Sequence, residues 1–316
     1  MTQSDFIVIT PVYEDAEASS RLFRELAAQF GKKIYIVAVD DGSVRKPLDI
    51  ASMETAPVSG TILRLRRNVG HQQAIAIGLG YVSEHIRPNQ QVIVMDSDGE
   101  DLPSTIPDLL KALGSDDVDV VVAQRKSRIE TLRFKVFYAI YKLFFRLMTG
   151  RTISFGNFMA LKAHAIKRLV TMQELPIHIA ATVLASKLRT KTCPLDRGPR
   201  YAGQSKMNFV GLALHGFKGL MVFAEDVLVR VGIACALTAF LSIVGIFAAI
   251  VLKLLNYSTP GWFSVALGIL VLMFIQTGTL ALMTLMLTGV IRSGTLNAQI
   301  TYRNFISETI STSGHE

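Results

Sequence analysis

Val92-Ile93-Val94-Met95-Asp96-Ser97-Asp98-Gly99-Glu100-Asp101 is the stretch whose reading decides the fold. A short apolar run reads as a buried strand and stops abruptly in four carboxylates. The same pattern recurs on either side of it. Residues 6–10 form an apolar run that meets Pro11. Residues 34–39 run into Asp40-Asp41-Gly42-Ser43, residues 61–65 make a third strand, and residues 118–123 a fifth that runs into Gln124-Arg125. Helical patterns lie between them, over residues 16–30 and 73–85. Strands alternating with helices predict an α/β fold, a mostly parallel sheet with helices on both faces. Ligands of such sheets sit outside the carboxyl ends of the strands, where the polar clusters of this sequence fall, so a single site is expected there.

The other decisive feature is composition. The chain has 316 residues, half of them hydrophobic, and a formal net charge of +8. No charged residue occurs between Val231 and Leu252, and after Lys253 none occurs before Arg292. About 20 apolar residues cross a bilayer as a helix, so two transmembrane helices are predicted, joined by a turn over residues 254–261. Core helices of soluble proteins rarely run so long without a charge. Both flanks of the pair carry Lys and Arg, including Lys206, Lys218, Arg230, Arg292 and Arg303. Positive flanks mark the cytoplasmic side, placing the polar domain in the cytosol and the protein in the cytoplasmic (inner) membrane as a multi-pass protein. The basic balance suits an anionic membrane surface; no nucleic-acid module is present, so nucleic acid is excluded as a partner. The N-terminus lacks the pattern of a signal peptide. Cys193 and Cys235 form neither a disulfide framework nor a zinc spacing.

Residues 131–148 interleave aromatic and aliphatic side chains with Arg133, Lys135, Lys142 and Arg146. Such a helix suits either the membrane interface or packing on the sheet with a basic edge. Residues 207–223 form a second candidate surface helix. The expected organisation is therefore a cytosolic domain over residues 1–205, including the amphipathic helix at 131–148. A juxtamembrane helix over 206–228, two transmembrane helices over 229–291 and a cytosolic tail over 292–316 follow.

Asp96, Asp98 and Glu100 are alternate residues and converge if the chain stays extended. Carboxylates are hard ligands suited to Mg²⁺ or Mn²⁺, ions that also engage phosphates. In order, Ile9-Thr10-Pro11-Val12-Tyr13-Glu14, Val39-Asp40-Asp41-Gly42-Ser43, Arg67-Asn68-Val69-Gly70-His71-Gln72 and Asp96-Ser97-Asp98 resemble glycosyltransferase family 2, which has a nucleotide-sugar-binding GT-A fold. Within it, Asn68-Val69-Gly70-His71-Gln72 and the late Arg197, Arg200-Tyr201-Ala202-Gly203-Gln204-Ser205-Lys206 segment resemble bactoprenol glucosyltransferases and dolichyl-phosphate mannose synthases.

The resemblance implies a donor pocket containing Pro11, Tyr13, Glu14, Asn68, His71 and Gln72, with Asp41 reading the base. It implies Asp96 at the ribose or metal, Asp98 and Glu100 on the metal, and Arg125, Arg200, Ser205 and Lys206 receiving phosphates. His71 is shared between a donor-site and a structural reading, and His178 reads as a packing or surface histidine. Asn157, in Gly156-Asn157-Phe158-Met159, stands where family members often carry aspartate. It therefore belongs to the acceptor site but cannot take a proton. The expected activity is inverting transfer of a sugar, a UDP-hexose ahead of GDP-mannose, from the nucleotide to a polyprenyl phosphate. A polysaccharide-extending synthase and a non-catalytic membrane scaffold are the alternatives, and a homo-oligomer is possible through the helix pair.

Overall fold

The computed structural model describes residues 1, 4–125, 132–153, 155–201, 209–257, 259, 261–295 and 302–312; the side chains of 125, 132–138, 209, 210, 212 and 288–295 also lie outside it. In chain order the elements are β1 (Phe6–Val12), α1 (Ala16–Phe30), β2 (Ile34–Asp40), α2 (Ala51–Glu54), β3 (Ser59–Leu65), α3 (His71–His85), β4 (Gln91–Val94), α4 (Ile106–Leu113) and β5 (Val120–Arg125). There follow α5 (Leu132–Thr149), β6 (Met159–Lys162), α6 (Ala163–Leu169), α7 (Ile179–Ala185), β7 (Thr190–Leu195), α8 (Phe209–Met221), α9 (Ala224–Leu254), α10 (Trp262–Thr295) and β8 (Ile306–Ser311).

The eight strands form one sheet in the order β7-β5-β6-β4-β1-β2-β3-β8. β4, β1, β2 and β3 are mutually parallel neighbours, so their carboxyl ends share one edge. Every residue of β1 is buried, as expected of a strand covered on both faces. Alternate side chains serve two cores. Ile7, Ile9, Val37 and Leu63 pack with Ile75, Leu79, Ile166 and Ile179 of α3, α6 and α7. Phe6, Val8, Ile36 and Ile62 pack with Leu22, Phe23, Leu109 and Met53 of α1, α4 and α2. The α/β architecture expected from the sequence is therefore the one formed.

β6, β7 and β8 were not evident from the sequence. The segment 292–316, expected as a tail, contributes β8, which runs antiparallel to β3 with Ile310 opposite Ile62. Its apolar residues are few because only one side of an edge strand meets the core. Arg64 Nη1 holds Glu308 Oε2 at 2.7 Å, and Arg303 pairs with Glu84. The Tyr302 ring lies where a Cβ on Gly80 would stand, 2.8 Å from its nearest carbon.

Residues 1–142, 152–222 and 299–316 make one compact unit, and 143–151 with 223–298 make a second. In the second, α9 and α10 pack along each other, with Gly232 admitting Thr284 and Gly245 admitting Leu270. Leu237, Phe240, Phe247, Leu272 and Leu285 face outward. Ala224–Leu254 and the Trp262–Leu287 part of α10 are long and apolar enough to be candidate membrane anchors. Arg230 donates to the Leu147 carbonyl at 2.9 Å, satisfying a carbonyl in the last turn of α5.

Asp119, 5% exposed, ties β5 to β7: it accepts from the Arg189 backbone N–H and guanidinium, and His164 Nε2 lies 3.0 Å away. The Arg189 hydrogen bonds hold its pKa well below the carboxylate range, against the opposing effect of burial. A depressed folded pKa means stability that is present above the unfolded value of about 3.9 and is lost as pH falls. Asp119→Asn is expected to cost about 1–3 kcal/mol at pH 7, less than a fully buried pair because Arg189 is half exposed. The gap from the parent protein should begin to narrow below about pH 4 and keep narrowing as pH falls further; thermal unfolding across pH measures both.

Candidate active site

Four strand ends supply the site, and carboxylates fold the loops that follow them. Glu14, with φ +51°, turns its carboxylate to the backbone N–H groups of Val44, Arg45 and Lys46 at 2.8–3.1 Å. The hydrogen bonds from Arg45 and Val44 lower its pKa. Asp40 accepts from Ser43 and Leu48 N–H groups at 3.0 and 3.1 Å. Asp41, 3% exposed, accepts from Val69 N–H at 2.7 Å and Gly70 N–H at 3.0 Å, one with each oxygen. Burial raises its pKa, and those two N–H groups oppose the rise. Gly42 adopts φ +68° because the 67–68 backbone lies against it, with Arg67 C only 2.5 Å from where a Cβ would stand.

These loops enclose a cavity of about 140 Å³ lined by Pro11, Val12, Tyr13, Asp41, Asn68, Gly70 and His71. A second, of about 390 Å³, is lined by Tyr13, Glu14, Arg45 and Lys46. Five of the expected donor residues thus share one cavity, and Glu14 lines the next. Gln72 departs from expectation. It is buried, and its amide lies between Asn157 Oδ1 (3.1 Å) and the Ile179 N–H (2.7 Å).

The acidic loop after β4 turns instead of staying extended. Gly99 has φ +87°, Glu100 N–H donates to Asp98 Oδ1 at 3.0 Å, and Asp96 N–H donates to Asp101 Oδ2 at 3.0 Å. The turn breaks the alternation that would have made Asp96, Asp98 and Glu100 converge. Among the described residues, no three His, Cys, Asp or Glu side chains are placed to hold one metal ion together. Arginines face two of the three. Arg200 reaches Asp98 Oδ2 at 3.0 Å and Glu100 Oε1 at 3.1 Å, and Arg197 pairs with Glu100 Oε2. Asp96 Oδ1, however, is buried without a hydrogen bond, so the donor set retains an oxygen open to a cation. Asp98's pKa is raised by burial and by the Asp96 charge, against the two arginines. Asp96's is lowered: burial opposes ionisation, but His71, Arg197 and Arg200 outweigh it.

The 197–201 segment lies directly on this loop. Gly198 N–H donates to the Glu100 carbonyl and Tyr201 N–H to the Asp98 carbonyl, at 3.0 and 2.9 Å. Tyr201 closes over Gly99, its hydroxyl donating to Glu25 and its ring carrying the Arg21 guanidinium at 4.3 Å. Arg200, expected to receive phosphates, thus stands paired with the carboxylates of the acidic loop, and Arg197 joins it, three residues earlier in the same basic motif. Arg125 ends β5, but its side chain, like Ser205 and Lys206, lies outside the described residues.

On the other side of Asp96, His71 Nε2 stands 3.2 Å from Asp96 Oδ1 and 2.9 Å from Asn157 Nδ2. Burial lowers the His71 pKa, but the Asp96, Asp101 and Asp98 charges prevail and raise it. His178, expected as a packing residue, is buried. It caps α7 by accepting from Ala181 N–H at 3.2 Å and stacks on His215 with centroids 4.4 Å apart. Burial brings its pKa down to about 3. Gly42→Ala is expected to strain the backbone by about 1–3 kcal/mol and displace the 67–68 chain. A lower Tm, read by calorimetry, would follow.

Residues 7–169 match Glycosyl transferase family 2. The chain is 27% identical over 241 residues to the uncharacterized glycosyltransferase YkoT of Bacillus subtilis (strain 168), across 74% of this chain and 69% of that protein. It is 28% identical over 214 residues to the undecaprenyl-phosphate 4-deoxy-4-formamido-L-arabinose transferase of Pectobacterium carotovorum subsp. carotovorum (strain PC1), across 65% of this chain and 63% of that protein. Among solved structures it is similar to glucosyl-3-phosphoglycerate synthase from Mycobacterium tuberculosis in complex with Mn²⁺ and UDP-glucose, with TM-score 0.51 and 11% identity over 72% of this chain and 80% of that one. At that identity the likeness is one of fold, a GT-A-like α/β fold. The family match spans just over half of the sequence and takes in the strand ends that build the site, and on it the chain belongs to glycosyl transferase family 2 as a glycosyltransferase.

Proposed function

We propose that the protein transfers a sugar from a nucleotide donor, a UDP-hexose in preference to GDP-mannose, to a polyprenyl phosphate at the cytoplasmic face of the inner membrane. The observation that carries this reading is the adjacency at one sheet edge of a cavity suited to a nucleotide and a carboxylate loop bridged by Arg197 and Arg200. The two candidate membrane anchors and the undecaprenyl-phosphate transferase among the relatives support a lipid acceptor.

Pro11, Tyr13, Asn68 and His71 would bound the nucleotide. Asp41 would present to the base whatever acceptor capacity its two backbone hydrogen bonds leave, since each carboxylate oxygen has two lone pairs. Asp96, whose Oδ1 is open, would be the first ligand of Mg²⁺ or Mn²⁺, and Asp98 and Glu100, which do not converge on it as they stand, would join once Arg197 and Arg200 leave them. The ion when bound stabilises charge on the departing diphosphate. Arg197 and Arg200, released from Asp98 and Glu100, suit bidentate binding of phosphate oxygens. Arg125, Ser205 and Lys206 complete the proposed phosphate-binding set.

In the transfer, an oxygen of the lipid phosphate forms a bond to the anomeric carbon on the face opposite the diphosphate. The bond from that carbon to the diphosphate oxygen breaks, and the nucleoside diphosphate leaves with the electron pair. A phosphate monoester has a second pKa near 6 and is largely dianionic at neutral pH, so no protein base is needed. Asn157 at the position of a family aspartate is consistent with this.

The amphipathic part of α5 and α8 would lie at the membrane interface, and the helix pair is also the surface on which a homo-oligomer would form. A panel of labelled UDP- and GDP-sugars, incubated with the full chain, Mg²⁺ or Mn²⁺ and a short polyprenyl phosphate, tests the reading. Label should enter an organic-extractable, mild-acid-labile lipid from one donor class. Label in a polymer would favour a polysaccharide synthase, and none with any donor a scaffold. Asp98→Ala should abolish transfer while Tm stays near the parent value; retained turnover would end the metal assignment.

A further inference from the structure

Gln72 and Asn157 form a hydrogen-bond chain whose direction is set at one end by a group that cannot reverse. The Ile179 amide, at the start of α7, is a backbone N–H and can only donate. It lies 2.7 Å from Gln72 Oε1, so that atom of the Gln72 side chain is the carbonyl oxygen. Gln72's other terminus is then its NH₂ group, 3.1 Å from Asn157 Oδ1. Asn157 is in turn fixed, with its NH₂ group 2.9 Å from His71 Nε2. Each amide is thereby oriented by its neighbour, and the ambiguity that usually attends side-chain amides is removed by the backbone.

An imidazole nitrogen has one in-plane direction along which it either donates or accepts. At His71 Nε2 that direction is taken by the Asn157 NH₂ group, 2.9 Å away. Asp96 Oδ1 lies 3.2 Å from the same nitrogen and is the acceptor that an Nε2–H would take in its place. We infer that Ile179, Gln72 and Asn157 act as positioning residues which hold His71 Nε2 as a hydrogen-bond acceptor, so that His71 offers its Nδ1–H as a donor to an anionic oxygen of a nucleoside diphosphate. The ring lines the 140 Å³ cavity with Asn68 and Gly70, at the start of α3. An aspartate at 157 would reverse the direction, because it offers only acceptors. The substitution of asparagine there thus determines which face of His71 meets the donor. The choice of ligand rests on the donor-site reading above; the direction of the chain does not.

The tautomer of His71 is readable without substrate. The full chain, labelled with ¹⁵N-histidine and held in lipid nanodiscs, is examined by two-bond ¹H–¹⁵N correlation, with His71→Gln identifying the signals. The expected pattern is a bare Nε2 and a hydrogen on Nδ1. Gln72→Glu replaces the amide donor that faces Asn157 Oδ1 while keeping an acceptor for Ile179, so Asn157 should turn over and the His71 tautomer ratio reverse by about tenfold or more. Asn157→Asp should reverse it likewise and serves if Gln72→Glu does not fold. A hydrogen on Nε2 in the parent protein, or an unchanged ratio in both variants, would overturn the chain. UDP and GDP, each with Mg²⁺, are then added. A shift of the His71 Nδ1–H with either one supports the donor role. No shift with both overturns that role and counts against the nucleotide site, while the substrate-free tautomer result stands by itself.

Discussion

The site depends first on one buried carboxylate. Asp41 leaves β2 at the sheet edge and binds the N–H groups of Val69 and Gly70, which leave β3 toward α3. Two neighbouring strand ends are thereby tied, and the backbone around Gly42 is pressed against residues 67–68. Glu14 and Asp40 do the same for the loop over residues 43–48. A buried carboxylate is tolerable only when such donors surround it, so the ionised side chains and the loop backbone stabilise each other. The cavity beside them is what remains between loops held in this way.

A second balance operates across the acidic loop. Asp96, Asp98 and Glu100 are close enough to disfavour each other's charge, and Arg197, Arg200 and His71 offset that repulsion from two sides. These pairings hold the loop compact. Guanidinium groups suit this task, because one planar fork offsets the charge of two carboxylates and hydrogen-bonds both. The 197–201 backbone, bonded to Asp98 and Glu100 and locked by Tyr201, keeps those arginines within reach.

The helix pair is an insertion in the sheet unit as far as the chain is concerned. Sequence leads from α8 into α9 and α10 and then returns to the sheet as β8, whose pairing with β3 protects an otherwise open strand edge. Arg64, Glu308, Arg303 and Glu84 fix that return with ion pairs on the polar side of the strand and of α3.

Much of this was legible in the sequence, for a physical reason. Parallel strands buried on both faces must be continuously apolar, and membrane helices must be free of charge, so β1, β2, β4, α9 and α10 declare themselves by composition. Polar residues that interrupt such strands fall at the sheet edge, which located Asp41 and Asp96 before any coordinates, while Tyr13, Asn68 and His71 came from the resemblance to glycosyltransferase family 2. Edge strands such as β7 and β8 need only one apolar side, and Thr190-Lys191-Thr192 or Ser307-Glu308-Thr309 carry no such signature. Direction and pairing were also undetermined. That Asp98 and Glu100 face arginines, that Glu14 binds backbone, and that Gln72 turns to Asn157 follow from where distant segments meet. Sequence determines which chemistry is available at a strand end; tertiary structure decides which partner each group faces, because hydrogen bonds and ion pairs depend on distances that spacing along the chain does not encode.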